Sequence, residues 1–131
     1  MTAPVTFGSL AFYEAMAKTL NADPVWLDKG KKLTYAMVYR YEAPLEGDFF
    51  LRFDAGKVVE VKTPDAADVE NADFVISGSS DVWRAAFEGS VNPTIALARG
   101  QIKVKGDTKQ LIKNMSAFKY ILEAMTRVPF V

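Results

Sequence analysis

The amino-acid sequence predicts an α+β fold in which helices cover one face of a five-stranded, mostly antiparallel sheet. Three observations support this prediction. Segments in which apolar and polar residues alternate fill the middle of the chain, as is typical of half-buried strands. Segments with apolar residues at helical spacing stand near both ends and between the last two strands. A strand with one apolar face must bury that face, and grouped helices supply the cover.

The chain is expected to begin with one long helix and one short helical turn. The long helix follows Ser9, a residue type that favours the N-cap position. Its apolar residues recur at helical spacing: Leu10, Tyr13, Ala17 and Leu20. Asp23 and Pro24 start the short turn, which carries Trp26 and ends at Gly30.

Three alternating segments then predict an antiparallel meander. Their bounds are residues 33–42, 49–54 and 57–63. The last two are joined by Asp54-Ala55-Gly56, a tight hairpin because Gly56 accepts a positive φ. In the third strand, Val59 and Val61 are expected to share one face and Val58 the other.

Beyond the meander, residues 64–72 are acidic and are expected to form a loop, whereas residues 73–77 alternate as a fourth strand. Gly78-Ser79-Ser80 is expected to turn the chain, with Ser80 as the N-cap of a helix over residues 81–88. A Gly/Ser turn before a helix is also an arrangement that holds anions. We favour the ordinary capped turn over an anion site.

The last part of the chain predicts a short helix, a fifth strand and a long final helix. Asn92 and Pro93 open the short helix as its cap and first residue. Residues 101–105 alternate, with apolar residues facing inward. Asp107 caps the final helix, and Gln110 is placed to complete a capping box. The helix has one continuous apolar stripe: Leu111, Met115, Phe118, Leu122 and Met125.

Composition excludes the commonest catalytic sites. The 131 residues include no His and no Cys, so a Ser-His-Asp site, a Cys-His site, a usual zinc site and a disulfide are all excluded. Phosphate-loop, dinucleotide and nucleophile-elbow motifs are absent, so no cofactor and no metal are expected. The length predicts a single domain over residues 1–131. Without a signal sequence at Met1–Pro4 or a long apolar run, a cytoplasmic protein is expected.

Charge is distributed unevenly although the net charge is zero. Residues 97–131 carry seven basic and two acidic residues, a net charge of +5, which leaves −5 for residues 1–96. A basic segment beside apolar residues suits a ligand with an acidic head group or an anionic membrane surface. The alternative, which charge alone favours, is a solvated helix face with Lys119 and Glu123 paired. Nucleic acid is not expected as a partner.

An ordered set of motifs resembles the sterol carrier protein family, whose members are also called non-specific lipid-transfer proteins. The motifs are Ala72-Asp73 at the start of a strand, Phe87-Glu88-Gly89 at a helix end, Asn92-Pro93, a short helix ending at Gly100, an alternating basic strand, and Gly106-Asp107. The resemblance implies binding of fatty acids, acyl-coenzyme A esters or sterols in an apolar tunnel between sheet and helices, without catalysis. Composition alone favours plain core packing of the apolar helix residues, and the resemblance reverses that preference.

The resemblance supplies no invariant ligand-contact motif, so the tunnel wall is chosen from apolar residues on the covering helices. The predicted ligand-binding residues are Trp83, Phe87, Ile95, Leu97, Met115, Phe118 and Leu122. The last helix is expected to act as a lid, and residues 129–131 to plug or line the tunnel mouth. The expected function is a non-catalytic carrier of apolar small molecules. The alternative is an accessory or substrate-presenting subunit for an enzyme that acts on apolar metabolites.

Overall fold

The computed structural model describes residues 4–131, so the expectation for Met1, Thr2 and Ala3 lies outside the described residues. The elements in chain order are α1 (Leu10–Asn21), α2 (Pro24–Lys29), β1 (Ala36–Glu42), β2 (Gly47–Asp54), β3 (Lys57–Lys62), α3 (Ala66–Asn71), β4 (Phe74–Ser79), α4 (Ser80–Glu88), α5 (Pro93–Ala98), β5 (Ile102–Gly106), α6 (Thr108–Lys113) and α7 (Met115–Met125).

The five strands form one sheet in the order β3-β2-β1-β4-β5. Neighbouring strands are antiparallel except β1 and β4, which are parallel. The core side of the sheet carries aromatic and aliphatic residues such as Tyr39, Leu51 and Ile76. The opposite side carries charged residues, including Arg40 paired with Asp48 at 2.9 Å. The predicted fold class, a mostly antiparallel five-stranded sheet covered on one face, is confirmed.

The acidic segment between β3 and β4 forms a helix, so the predicted loop is wrong. Asp65 accepts a hydrogen bond from the backbone N–H of Asp68 at 2.8 Å, and Asp68 accepts one from the N–H of Asp65 at 3.0 Å. This reciprocal pair is a capping box that starts α3. No residue of α3 is buried, so the helix leaves no apolar periodicity in the sequence.

A bulge in β3 makes the predicted grouping of its valines wrong, because Val61 shares a face with Val58 and not with Val59. Arg52 pairs with Glu60 but Phe53 pairs with Val58, so Val59 is the extra residue. Val58 is therefore buried against the helices, while Val59 is 52% exposed. Strict alternation cannot predict this change because the bulge shifts the register by one residue.

Strand β4 ends two residues later than predicted and α4 begins one residue earlier, so no separate turn lies between them. The strand continues through Ser79 because Gly78 and Ser79 pair with the end of β1. Ser79 is then the N-cap, and its hydroxyl accepts from the N–H of Val82 at 3.2 Å. Ser80 is buried instead, and its hydroxyl accepts from the N–H of Leu45 at 2.9 Å.

The predicted final helix is two helices, α6 and α7, which meet at Asn114. Asp107 caps α6 as predicted, but Gln110 does not complete a capping box. Its side-chain oxygen instead accepts from the Tyr35 hydroxyl at 2.8 Å. The Asn114 amide donates to the same hydroxyl at 3.4 Å. The Gln110 side chain, which a capping box would use, is therefore bonded to Tyr35 in a distant part of the chain.

Asp23 joins the start of α2 to α7 and the segment that follows it. Its carboxylate caps α2 by accepting from the N–H of Val25 at 2.9 Å, and it also accepts from the Tyr120 hydroxyl. The Arg127 guanidinium lies 3.5 Å away. The hydrogen bond from Tyr120 is the main cause that holds the pKa of Asp23 below its ordinary value.

We expect Asp23→Asn to remove an acid-sensitive part of the stability. A lowered folded-state pKa means that the carboxylate stabilises the fold above its unfolded pKa of about 3.9 and loses this effect as the pH falls through the folded value. Asn still caps and still accepts from Tyr120, but it does not titrate. The wild-type melting temperature should exceed that of D23N at about pH 6, with the difference shrinking towards about pH 2.5. If the difference in melting temperature between the two proteins is the same at every pH, the Asp23 carboxylate is not the group that makes the stability acid-sensitive.

Candidate functional site

The candidate site is a narrow space between the β4–β5 end of the sheet and the helices that cover it, which we call the apolar seam. Its lining residues are Tyr39, Ile76, Leu97, Ile102, Val104, Leu111, Phe118 and Leu122. Its cavity volume is about 10 Å³, roughly the room for one water molecule. Ligand pockets commonly reach about 300–1,000 Å³. The seam is therefore closed in this structure, and the expected tunnel is not open.

The seam is assembled from both layers of the fold. Ile76 and Val104 are cross-strand partners on the core side of β4 and β5. Phe118 and Leu122 are one helical turn apart on α7, which places them above those strands. The Phe118 ring also packs edge-on against Phe74 at a centroid distance of 5.1 Å. The sheet floor and the helix roof are thus fixed by regular strand and helix periodicity.

One side of the seam reaches the surface. Leu97 of α5, Val104 of β5 and Leu111 of α6 are half-buried, whereas Tyr39 and Ile102 are buried. The half-buried residues form the mouth, and Tyr39 is among the buried residues behind it. A group that enters between α5 and α6 would therefore meet Leu97, Val104 and Leu111 before the buried lining residues.

Three predicted ligand-binding residues meet at the seam, namely Leu97, Phe118 and Leu122. The other four lie elsewhere: Trp83 and Phe87 within the core, Ile95 on the surface at 49% exposed, and Met115 in a surface groove beside Lys29 and Tyr120. Contact of any of the seven with a ligand stays a prediction.

The core position of Trp83 and Phe87 has clear contacts. The Trp83 indole N–H donates to the Arg40 carbonyl at 3.0 Å, and its ring stacks on Tyr41 at a centroid distance of 5.8 Å. The Phe87 ring stacks on Phe12 at 4.6 Å. These side chains join α4 to the sheet and to α1, and they do not line the seam.

Sequence reasoning missed the sheet residues of the seam because it considered only the covering helices. Ile102 and Val104 were available from their alternation, which already placed both on the inner face of β5. Leu111 belonged to the predicted apolar stripe but was not chosen for the wall. Tyr39 gives no separate signal, since alternation predicts only that it faces the core.

Tyr39 brings the phenol group to a lining that is otherwise aliphatic and aromatic hydrocarbon. Burial raises the pKa of Tyr39, and the nearby Tyr41 raises it further. The phenol therefore stays protonated at physiological pH and can act as a hydrogen-bond donor. Within residues 4–131, no cluster of three or more His, Cys, Asp or Glu is placed to hold a metal ion.

The C-terminal tail closes a different part of the molecule from the seam. The backbone N–H of Phe7 donates to the Val131 carbonyl at 3.0 Å, and the N–H of Val131 donates to the Val5 carbonyl at 2.9 Å. The Phe130 ring packs near Phe7 and Phe87 at centroid distances of 5.7 and 6.2 Å. Residues 129–131 thus cover the α1–α4 end of the core, and they are not among the seam residues.

Four lysines of β5 and α6 have no ion-pair partner among residues 4–131. Among the described residues, the ion pairs within 4 Å do not include Lys103, Lys105, Lys109 or Lys113. On α6, Lys109 and Lys113 flank Ile112, which is 66% exposed. No helix in the described part of the chain combines the length and hydrophobicity that a membrane span requires.

Comparison with known proteins identifies one family. A sequence model of the SCP-2 sterol transfer family matches residues 16–119, which include the whole sheet, α5 and the first half of α7. No curated protein matches the chain.

Solved structures with the same fold are similar across almost the whole chain. A crystal structure of sterol carrier protein 2 superposes with a TM-score of 0.77 at 21% identity, covering 90% of this chain and 95% of that one. A Thermus thermophilus protein described as possibly a sterol carrier protein gives 0.75 at 21% identity, covering 100% and 94%. UbiJ-SCP2, a ubiquinone synthesis protein, gives 0.61 at 17% identity, covering 88% and 94%. At these identities the likeness establishes the fold.

Proposed function

The chain belongs to the SCP-2 sterol transfer family, and from that premise we propose that it binds and carries apolar small molecules in the apolar seam, without catalysing a reaction on them. The observation that carries the proposal is the composition of the lining, which consists of seven hydrocarbon side chains and one phenol. Burial of apolar ligand surface there is worth about 25 cal/mol per Å². Fatty acids, acyl-coenzyme A esters and sterol-like lipids are the candidate ligands.

Binding requires the helices over the seam to move, because the closed cavity is too small for a lipid. Of the three helices that contribute to the lining, α5 and α7 have buried residues that anchor them in the core. In α6, none of the side chains described for Lys109–Lys113 is buried, and Leu111 is the contact of this helix with the seam. Hydrogen bonds from Tyr35 and Asn114 hold the end of this helix. We propose that α6, with the start of α7, is the lid.

The outer face of α6 suits docking on an anionic membrane surface while the lid opens. Ile112 projects there between Lys109 and Lys113, and these lysines are free of ion pairs in the described part of the chain. Each basic residue near such a surface contributes about 1 kcal/mol of attraction. Docking would place the mouth of the seam beside the lipid that it is to accept.

The proposal is tested by fluorescence titration with N-phenyl-1-naphthylamine, an uncharged probe. We expect saturable binding to the wild-type protein and binding about tenfold weaker to Leu111→Gln, because the substitution replaces apolar wall with an amide. The matched control is Ile112→Gln on the adjacent exposed position, which should bind the probe as the wild-type does. Absence of saturable binding to the wild-type protein would refute the carrier proposal. If both variants weaken probe binding equally, the probe does not bind in the seam.

A second candidate is an accessory or substrate-presenting subunit for an enzyme that acts on apolar metabolites. UbiJ-SCP2, which shares the fold, is described as a ubiquinone synthesis protein. A protein with this fold is therefore associated with the synthesis of an apolar metabolite. Co-purification of an enzyme whose rate rises on addition of this protein would favour this candidate over free transport. Native mass spectrometry of the purified protein, with extraction of bound molecules, reports on both candidates.

A further inference from the structure

The hydroxyl of Tyr39 stands out among the polar groups of the aromatic core. The indole N–H of Trp26 donates to the Gly56 carbonyl at 2.7 Å, and that of Trp83 donates to the Arg40 carbonyl at 3.0 Å. The Tyr13 hydroxyl donates to that of Tyr41 at 2.9 Å. Each of these groups has an oxygen as its partner.

Tyr39 has a sulfur atom instead. Its hydroxyl donates to the Met37 thioether at 3.9 Å, and a thioether is a weak acceptor. The side chain is fully buried and is one of the residues that line the apolar seam. A buried donor with so weak a partner loses much of the hydrogen-bond energy that it has in water. A ligand oxygen placed in the seam would restore that energy.

We propose that the Tyr39 hydroxyl is the specificity-determining donor of the seam, and that it selects uncharged lipids carrying one oxygen acceptor, such as a ketone, ester or alcohol, at the inserted end. This inference rests on the proposed carrier function and names its ligand class. An oxygenated ligand gains a hydrogen bond that a pure hydrocarbon of the same shape does not gain.

The lining explains why the selected oxygen is uncharged. The seam contains no cationic side chain, so a carboxylate beside Tyr39 would be buried with a single phenol as its partner. The free lysines lie at the outer side, on β5 and α6. A fatty acid would therefore leave its carboxylate at the mouth and insert its methyl end. In that orientation the ligand presents no oxygen to Tyr39.

The test uses three competitors of N-phenyl-1-naphthylamine with the wild-type protein and Tyr39→Phe. Butyrophenone and butylbenzene differ by one ketone oxygen, and decanoate carries a carboxylate. We expect Y39F to bind butyrophenone about fivefold more weakly than the wild-type does, since one hydrogen bond is lost. Binding of butylbenzene and decanoate should not change.

Tyr13→Phe is the matched control. It removes another fully buried phenol hydroxyl, but Tyr13 is not among the residues that line the seam. The ketone preference should survive in Y13F, with circular dichroism confirming that both variants are folded. If Y39F weakens all three competitors equally or none of them, or if Y13F acts like Y39F, the inference is overturned while the carrier function stands. Failure of the wild-type protein to bind the probe would overturn both.

Discussion

Phe118→Ala should lower the free energy of unfolding by about 3–5 kcal/mol and, in the same step, enlarge the apolar seam. The ring is 5% exposed, lines the seam and packs edge-on against Phe74. Its removal deletes buried hydrocarbon and leaves a void beside a space that already exists. Dry apolar voids of this kind bind small aromatic molecules. The variant should therefore bind toluene without the lid movement that the closed wild-type seam requires, and so more tightly than the wild-type protein does.

Chemical denaturation gives the stability change, and the rise in melting temperature with toluene gives the binding. Phe50→Ala is the control, because Phe50 is also 5% exposed but lies on the opposite face of the sheet. It should lose stability without gaining toluene stabilisation. Equal toluene stabilisation of the two variants would show that the seam is not the cavity being filled. An unchanged stability of F118A would show that the ring is not packed as described.

Trp83→Ala is also expected to cost about 3–5 kcal/mol, but without a matching loss of ligand affinity per folded molecule. The side chain is fully buried, stacks on Tyr41 and donates its indole N–H to the Arg40 carbonyl. The substitution removes a large apolar surface and leaves that carbonyl without this donor. Because Trp83 does not line the seam, the probe-binding site of the folded fraction should stay intact.

Urea denaturation and probe titration below the unfolding transition separate these two effects. Ile95→Ala is the control, since Ile95 was chosen for the same wall but is 49% exposed. Its stability should change by less than about 0.5 kcal/mol. A W83A protein that keeps its stability but no longer binds the probe would support the wall predicted from the sequence over the seam seen in the structure.

The order of strands and most helices could be predicted because local pattern and tertiary environment agree there. Alternation identifies β1 and β2, and Asn92-Pro93 starts α5 as expected, with Asn92 accepting from the N–H of Thr94 at 2.9 Å. Agreement of this kind is usual where each residue has one role. The fold class follows from these elements.

The remaining details depend on partners far apart in the chain. The Tyr35 hydroxyl donates to the Gln110 side chain, 75 residues away, and the predicted capping box does not form. The bulge at Val59 appears only when β3 is paired with β2. Local sequence patterns contain no information about these two pairings. Helix α3 is different, because it starts with a local capping box of two aspartates but has no buried residue, so hydrophobic periodicity does not predict it.

The candidate site was harder to predict than the fold because core and ligand wall use the same residue types. Phe87 and Phe118 are both aromatic residues on covering helices, yet one packs on Phe12 and the other roofs the seam. Hydrophobicity alone does not distinguish the two positions. The inward facing of Ile102 and Val104 follows from alternation, but their place in the lining depends on which strands lie beneath α7.

The pairing of residues 5–7 with residues 129–131 has a consequence for the order of folding. Val5 and Phe7 are hydrogen-bonded to Pro129 and Val131, so these contacts close a loop that contains the whole sheet. The entropic cost of closing a loop grows with its length, whereas the β2–β3 hairpin closes over only two residues. We therefore expect the sheet to form first and the contacts of residues 5–7 with residues 129–131 to form late.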